Sequence, residues 1–213
     1  LLSMLIGFVD DYIKVVRKRS LGLIWWQKVI GQVAIGLLLS IYCYLSPSVG
    51  SAIIIPFANT TWDLGIWYVP VMTLVIMFMI NSANLQDGLD GLLSSVAATG
   101  GVAWTFAALL GALGMGVVAG AAASSNLLNV AIFGLALVGG CIGFLRYNYY
   151  PAKVFMGDTG SMYIGGATVA MAMLMRMPIF MVLISFTMIA SSLSVILQRV
   201  YFKLTHGKRI WKM

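Results

Sequence analysis

The stretch IWYVPVMTLVIMFMINSANLQDGLDGL (residues 66–92) decides the fold. Residues 66–82 carry no charge, and as a helix they would run about 25 Å, close to the thickness of a bilayer's hydrocarbon core. The run then turns abruptly polar, with Asn81, Asn84, Asp87 and Asp90 at a spacing of three. Apolar residues follow one another here without the period-two alternation of a barrel strand, so a helix satisfies the backbone in lipid.

The rest of the chain repeats this pattern. Of 213 residues, 61% are apolar and 9% charged. A soluble domain would carry about a quarter charged residues. The mean hydropathy is +0.99. The expected fold is therefore an all-α polytopic membrane protein, a single transmembrane domain over 1–213. Six full spans are expected at about 29–45, 66–82, 90–110, 127–147, 160–176 and 179–198. They follow a stub, Leu1–Val9, read as the inner end of a truncated helix. With no initiator Met and an abrupt basic end, the sequence reads as a fragment lacking both termini. Residues 46–65 (SPSVGSAIIIPFANTTWDLG) are expected to form a small extracytoplasmic hairpin around Ile53–Ile55. Small-residue spacings at Gly116–Gly120 and Gly139–Gly143 suggest close helix packing. Cys43 and Cys141, about 100 positions apart in apolar runs, read as buried hydrophobes rather than a disulfide or metal pair.

Basic residues orient the spans. With the stub ending inside, Lys14, Arg17, Lys18, Arg19, Lys28, Arg146, Lys153, Arg199, Lys203, Lys208, Arg209 and Lys212 all fall on the cytoplasmic side; Arg176 alone falls outside. This is the positive-inside pattern, so the net charge of +7 requires no nucleic-acid partner. His206 reads as an interfacial surface residue.

The acidic residues test that topology independently. There is no Glu; Asp63 is outside, whereas Asp10, Asp11, Asp87, Asp90 and Asp158 all reach the cytoplasmic surface. Asp90 and Asp158 each have an alternative as helix N-caps. Asp10 and Asp11 resist it, because they close a helix, where the dipole disfavours negative charge. Adjacent carboxylates also repel, so Lys14 or a bound cation must compensate. Asn148, Lys153, Phe155, Asp158, Thr159 and Ser161 surround a glycine-flanked turn. Carboxylates and amides without neighbouring Cys or His suit a hard, oxygen-ligated metal such as Mg²⁺, which points to phosphoryl or phosphoglycosyl chemistry.

GFVDDYIK (7–14), NSANLQDGLDGL (81–92) and FLRYNYYPAKVFMGDTGS (144–161) resemble, in order and spacing, the polyprenyl-phosphate N-acetylhexosamine-1-phosphate transferases. Within them, PAKVFMGDTGS (151–161) and YFKLTHGKRIWKM (201–213) are most similar to the phospho-N-acetylmuramoyl-pentapeptide transferases. The resemblance implies Mg²⁺-dependent transfer from UDP-N-acetylmuramoyl-pentapeptide to undecaprenyl phosphate, giving lipid I and UMP at the cytoplasmic face of a bacterial inner membrane. It implies catalytic roles for Asp10, Asp11, Lys14 and Asp158, with metal binding at Asp158, Asp10 and Asp11. Asn81, Asn84, Asp87, Asp90, Asn148, Lys153, Phe155 and Gln198 are the implied substrate contacts, Phe155 by stacking on uracil. A homodimer is also allowed. Gln86 departs from the family pattern, which usually has Thr there.

Rival expectations are a sibling transferase using UDP-N-acetylglucosamine, a CDP-alcohol phosphotransferase and an ion-coupled transporter. The CDP-alcohol enzymes' single-segment Asp spacing is absent here. Transporter sites usually lie near the bilayer midplane, whereas these Asp residues sit at span ends.

Overall fold

The computed structural model describes residues 1–18, 22–58, 60–114, 121–208 and 210, with backbone only over 121–125. Eight helices and one hairpin account for most of them: α1 (Leu2–Val16), α2 (Trp25–Leu45), β1 (Ala52–Ile55), β2 (Thr60–Asp63), α3 (Tyr68–Gln86), α4 (Leu92–Ala112), α5 (Ala121–Asn148), α6 (Gly157–Leu174), α7 (Phe180–Ile184) and α8 (Phe186–Leu204). Among the described residues, four helical segments are long and apolar enough to cross a membrane: Trp25–Leu45, Gly65–Gln86, Leu92–Ala112 and Asn126–Asn148. The protein is thus a helical membrane protein with a small two-stranded sheet.

Helix α3 is the hub, flanked by α2, α6 and α8, while α1 lies on α6 and α4 pairs with α5. Lipid supplies little hydrophobic drive between helices, so close approach and polar bonds do the joining. Where α3 meets α6, a Cβ on Gly165 would lie 2.7 Å from Ile80 Cα and Met79 O, so only glycine admits this crossing. Where α2 meets α3, buried Ser40 and Thr73 share a hydroxyl bond of 3.1 Å. The hairpin joins α2 to α3 with Ile53 opposite Trp62 and Ile54 opposite Thr61, in the segment where the β-branched run predicts it.

Several expectations change. The helix that begins in the stub ends later than expected: α1 continues through Asp10, Asp11 and Lys14 to Val16. The expected span 179–198 is broken at Ser185, whose φ of −103° and ψ of 25° separate α7 from α8. The Asn81–Asp90 stripe is helical only to Gln86; Asp87 ends α3, and Gly91 (φ 72°) turns the chain into α4. Among the described residues, nothing lies within 4 Å of a Cβ placed on Gly139 or Gly143. The tight α4–α5 approach is instead at Gly101, where a Cβ would lie 2.7 Å from Val138 Cγ2. Gly116, Gly120, Arg19, Arg209 and Lys212 lie outside the described residues.

Candidate active site

Two glycines bring the first acidic motif onto the third. A Cβ on Gly7 would overlap the Asp158 carbonyl, so α1 and the start of α6 touch backbone to backbone. Gly157 adopts φ 67°, and a Cβ there would sit 2.8 Å from Asp11 Oδ2.

The consequence is a division of labour within the aspartate pair. Asp11 accepts hydrogen bonds from Thr159 N–H (2.8 Å), Thr159 Oγ1–H (2.6 Å) and Asp158 N–H (3.3 Å). Its carboxylate thus serves the orphan donors at the N-terminus of α6, as a capping residue does, but from another helix. The N-cap alternative for Asp158 fails, because Asp158 lies inside the first turn and Asp11 does the capping. Asp90 caps nothing either; its Oδ2 accepts Ala152 N–H at 2.9 Å.

Asp10 faces the lysines. It is fully buried, accepts Leu23 N–H at 2.6 Å and pairs with Lys28 Nζ at 3.0 Å. Lys14 Nζ lies 2.5 Å from Asp10 Oδ2, an ion pair rather than an aligned hydrogen bond. A buried carboxylate is tolerated only with such partners. Both ammoniums also reach Asp158 Oδ2, Lys28 at 2.6 Å and Lys14 at 3.1 Å. Asn84 Nδ2 holds Asp158 Oδ1 at 2.8 Å and bonds Ser161 Oγ at 2.9 Å.

These contacts set the protonation states. Burial pushes Asp158 up, but hydrogen bonds from Lys28 and Asn84 and the charge of Lys28 outweigh it and hold the carboxyl well below its usual range. Burial pushes Lys14 down, yet Asp10 and Asp158 raise it overall. The stabilisation from Asp158 is therefore present above the ordinary carboxylate pKa and lost on acidification. That from Lys14 is present below the ordinary lysine pKa and lost as pH rises beyond it. Asp87 behaves oppositely. Burial, then the charges of Asp158 and Asp11, push it up to about 6, despite a bond from the Gly157 backbone.

Asp10, Asp11 and Asp158 each offer an oxygen, all within 4.8 Å of one another. Oxygen donors without sulfur or imidazole fit a hard divalent cation. Against three carboxylates stand two ammoniums, so the cluster retains net negative charge. It presents, at one end of apolar helices, the mixed anion and cation pattern that a phosphate-transfer site needs.

The model of glycosyl transferase family 4 matches residues 1–176. The chain belongs to that family. A phospho-N-acetylmuramoyl-pentapeptide-transferase of Clostridium kluyveri is 42% identical over 98% of this chain and 61% of its own length. Proteins of the same name from Heliobacterium modesticaldum and Desulfitobacterium hafniense are each 44% identical over 98% of this chain, and over 60% and 61% of their own lengths. The chain thus spans about three-fifths of the length of these curated relatives.

In this family 4 chain, the sequence-derived site residues divide by position. Asp10, Asp11, Lys14, Asn84 and Asp158 converge in one network, with Asp87 close enough to feel two of its charges. Asn81 instead exchanges hydrogen bonds with Gln32 of α2, at 2.7 and 3.4 Å. Asn148 is buried and joins helix ends: its Oδ1 accepts from Gly91 N–H and Ser94 Oγ, and its Nδ2 donates to Val154 O. Lys153 and Phe155 are exposed. Phe155 lines an apolar cavity of about 490 Å³ that also touches Thr159 and Gly160. Gln198 bonds Ser194 on its own helix. Gln86 is buried, and its side-chain amide has no partner among the described residues.

Two participants lie outside the sequence-derived set. In the sequence, Lys28 reads only as part of the basic fringe. Its signal was available: a lysine at the start of an apolar helix opposes the dipole and needs an anion nearby. Thr159 appeared as part of a polar cluster, but its bond to Asp11 depends on the α1–α6 crossing, which no local pattern reveals.

Proposed function

We propose that this chain carries the reaction centre of a phospho-N-acetylmuramoyl-pentapeptide transferase, forming lipid I for peptidoglycan synthesis. An oxygen of undecaprenyl phosphate attacks the sugar-bearing phosphorus of UDP-N-acetylmuramoyl-pentapeptide. A new P–O bond forms, the bond to the bridging oxygen breaks, and UMP leaves with the electron pair. The observation that carries this reading is the meeting of Asp10, Asp11 and Asp158 within 4.8 Å, from segments nearly 150 residues apart. The names of the curated relatives support the substrate class.

In this mechanism Lys14 and Lys28 neutralise the crowded phosphates, the principal electrostatic demand of such a transfer. Asp10 and Asp158 orient both ammoniums. Asn84 fixes the rotamer of Asp158, and Asp11 fixes the helix that carries it. The carboxylate oxygens would hold Mg²⁺, which when bound supplies Lewis-acid stabilisation of the phosphoryl oxygens. Asn81, Asp87, Asp90, Asn148, Lys153, Phe155 and Gln198 are assigned to the donor side. Asn148 acts by positioning the turn, and Phe155 by offering a ring to the base.

The accompanying topology has six spans, α6 and the α7–α8 pair joining the four long apolar helices. The carboxylates lie at the cytoplasmic face of a bacterial inner membrane, and the assembly is a homodimer. The test is UMP release by the protein in membranes, with Mg²⁺, undecaprenyl phosphate and each candidate donor. Release with the muramoyl-pentapeptide donor alone supports the reading. Release only with UDP-N-acetylglucosamine moves the chain to the sibling activity, and none with either removes transfer.

A further inference from the structure

The end of the molecule away from the carboxylates carries its own surface. The turn between β2 and α3 leaves Ile66 71% and Trp67 69% exposed, and Trp62 on β2 is 57% exposed. Strand alternation sends Trp62 to one face of the hairpin, and Thr61 and Asp63 to the other. The polar face is satisfied locally: Asp63 Oδ1 accepts from Ser51 Oγ at 2.6 Å and Gly65 N–H at 2.9 Å.

The hairpin is also rigidly placed. Ile54 N–H donates to Arg176 O at 2.8 Å, and Arg176 Nε donates back to Ala52 O at 2.9 Å. The Phe57 ring lies 6.0 Å from that of Phe180 at the start of α7. Its depth is fixed by its neighbours, because α2 ends at Leu45 and the span of α3 begins at Gly65. Both flanking helices are long and apolar enough to cross a membrane, and exposed Ile66 and Trp67 are among the first residues of the second span, where it meets the headgroup layer. Trp is enriched at that depth because its ring is amphipathic. Trp25 and Trp26, both exposed, stand at the opposite end of α2, about 30 Å away by helix rise.

We infer that the face formed by Trp62, Ile66 and Trp67 is a membrane-docking surface, seated in the headgroup and glycerol layer of the leaflet opposite the carboxylate cluster. Its partner is the lipid interface itself. With Asp63 satisfied locally and the Arg176 guanidinium turned to Ala52 O, recognition is by amphipathic fit rather than by lipid charge, so anionic lipid and salt change it little.

Cys43 and Cys141 are buried, so single cysteines introduced as Ile66→Cys and Thr61→Cys can be labelled selectively with an environment-sensitive fluorophore. The labelled protein is placed in phosphatidylcholine vesicles, with and without phosphatidylglycerol, containing nitroxide lipids of graded depth. Shallow nitroxides should quench the label at 66 about threefold more than that at 61, with iodide showing the reverse preference. Equal iodide access at both positions would overturn the inference. So would strongest quenching of position 66 by the deepest nitroxide, or quenching that appears only with phosphatidylglycerol. Both side chains are exposed on the protein surface, and neither touches the carboxylate network, so the result stands apart from any assay of transfer.

Discussion

The antiparallel pair α2–α3 ends in two different ways. At one end, Lys28 and Asn84 join Asp10, Lys14 and Asp158 in a network of charges whose members repel as well as attract. At the other, the hairpin resolves its polar groups locally through Ser51, Gly65 and the Arg176 clamp, leaving aromatic rings outward. One pair of helices thus supports an end with surplus charge, suited to exchanging partners, and an end already satisfied, suited to staying put. Buried charge with imperfect compensation is a sign of a working site.

The sharpest way to break this contrast is to neutralise the charged end. Asp158→Asn should lower UMP release about 10³-fold with the fold intact, because it removes one of the two carboxylates that hold both ammoniums and one oxygen donor of the cation cluster. Lys28→Met should lower kcat about 10²-fold, with little change if the lysine only decorates the surface. Thr159→Val, which removes the hydroxyl bond to Asp11, should lower kcat about tenfold. Thr159→Ser should restore it, whereas a purely steric role would leave Ser as poor as Val. At the satisfied end, Arg176→Met should lower the melting temperature by a few degrees, about 1 kcal/mol of clamp, and leave kcat within about twofold.

The smallest effect concerns Asp87. Its carboxyl is pushed up to about 6, so the folded protein binds that proton more tightly than the unfolded chain. Its contribution therefore becomes unfavourable as pH rises through about 4 to 6 and stays so above. Asp87→Asn in chelator should raise the melting temperature by about 2 °C near pH 8 and leave it unchanged near pH 4. The reverse order would contradict the placement of Asp87 beside Asp11 and Asp158.

Sequence made four of the spans and the charged end legible because both follow from transfer energetics and side-chain chemistry alone. Apolar runs had to cross, and five aspartates gathered on one surface through the count of Lys and Arg. The unequal duties of Asp10 and Asp11 were not legible. They arise because helix geometry turns successive residues about 100° apart, so one meets the lysines and the other meets α6. Nor was the break at Ser185, where the neighbouring residues are as apolar as those of an unbroken span. The hairpin was readable from Pro, Gly and Ile53–Ile55, but its anchoring by Arg176 was not, since those residues lie more than 120 positions apart.

The central claim is that three distant segments assemble one cation- and phosphate-handling centre at the charged end. Mn²⁺ titration followed by electron paramagnetic resonance tests it most directly, on the protein, on Asp158→Asn and on Asp63→Asn at the other end. The protein should bind Mn²⁺ in competition with Mg²⁺, Asp158→Asn should weaken binding at least about tenfold, and Asp63→Asn should leave it unchanged. Undiminished binding by Asp158→Asn, or equal losses in both variants, would contradict the account.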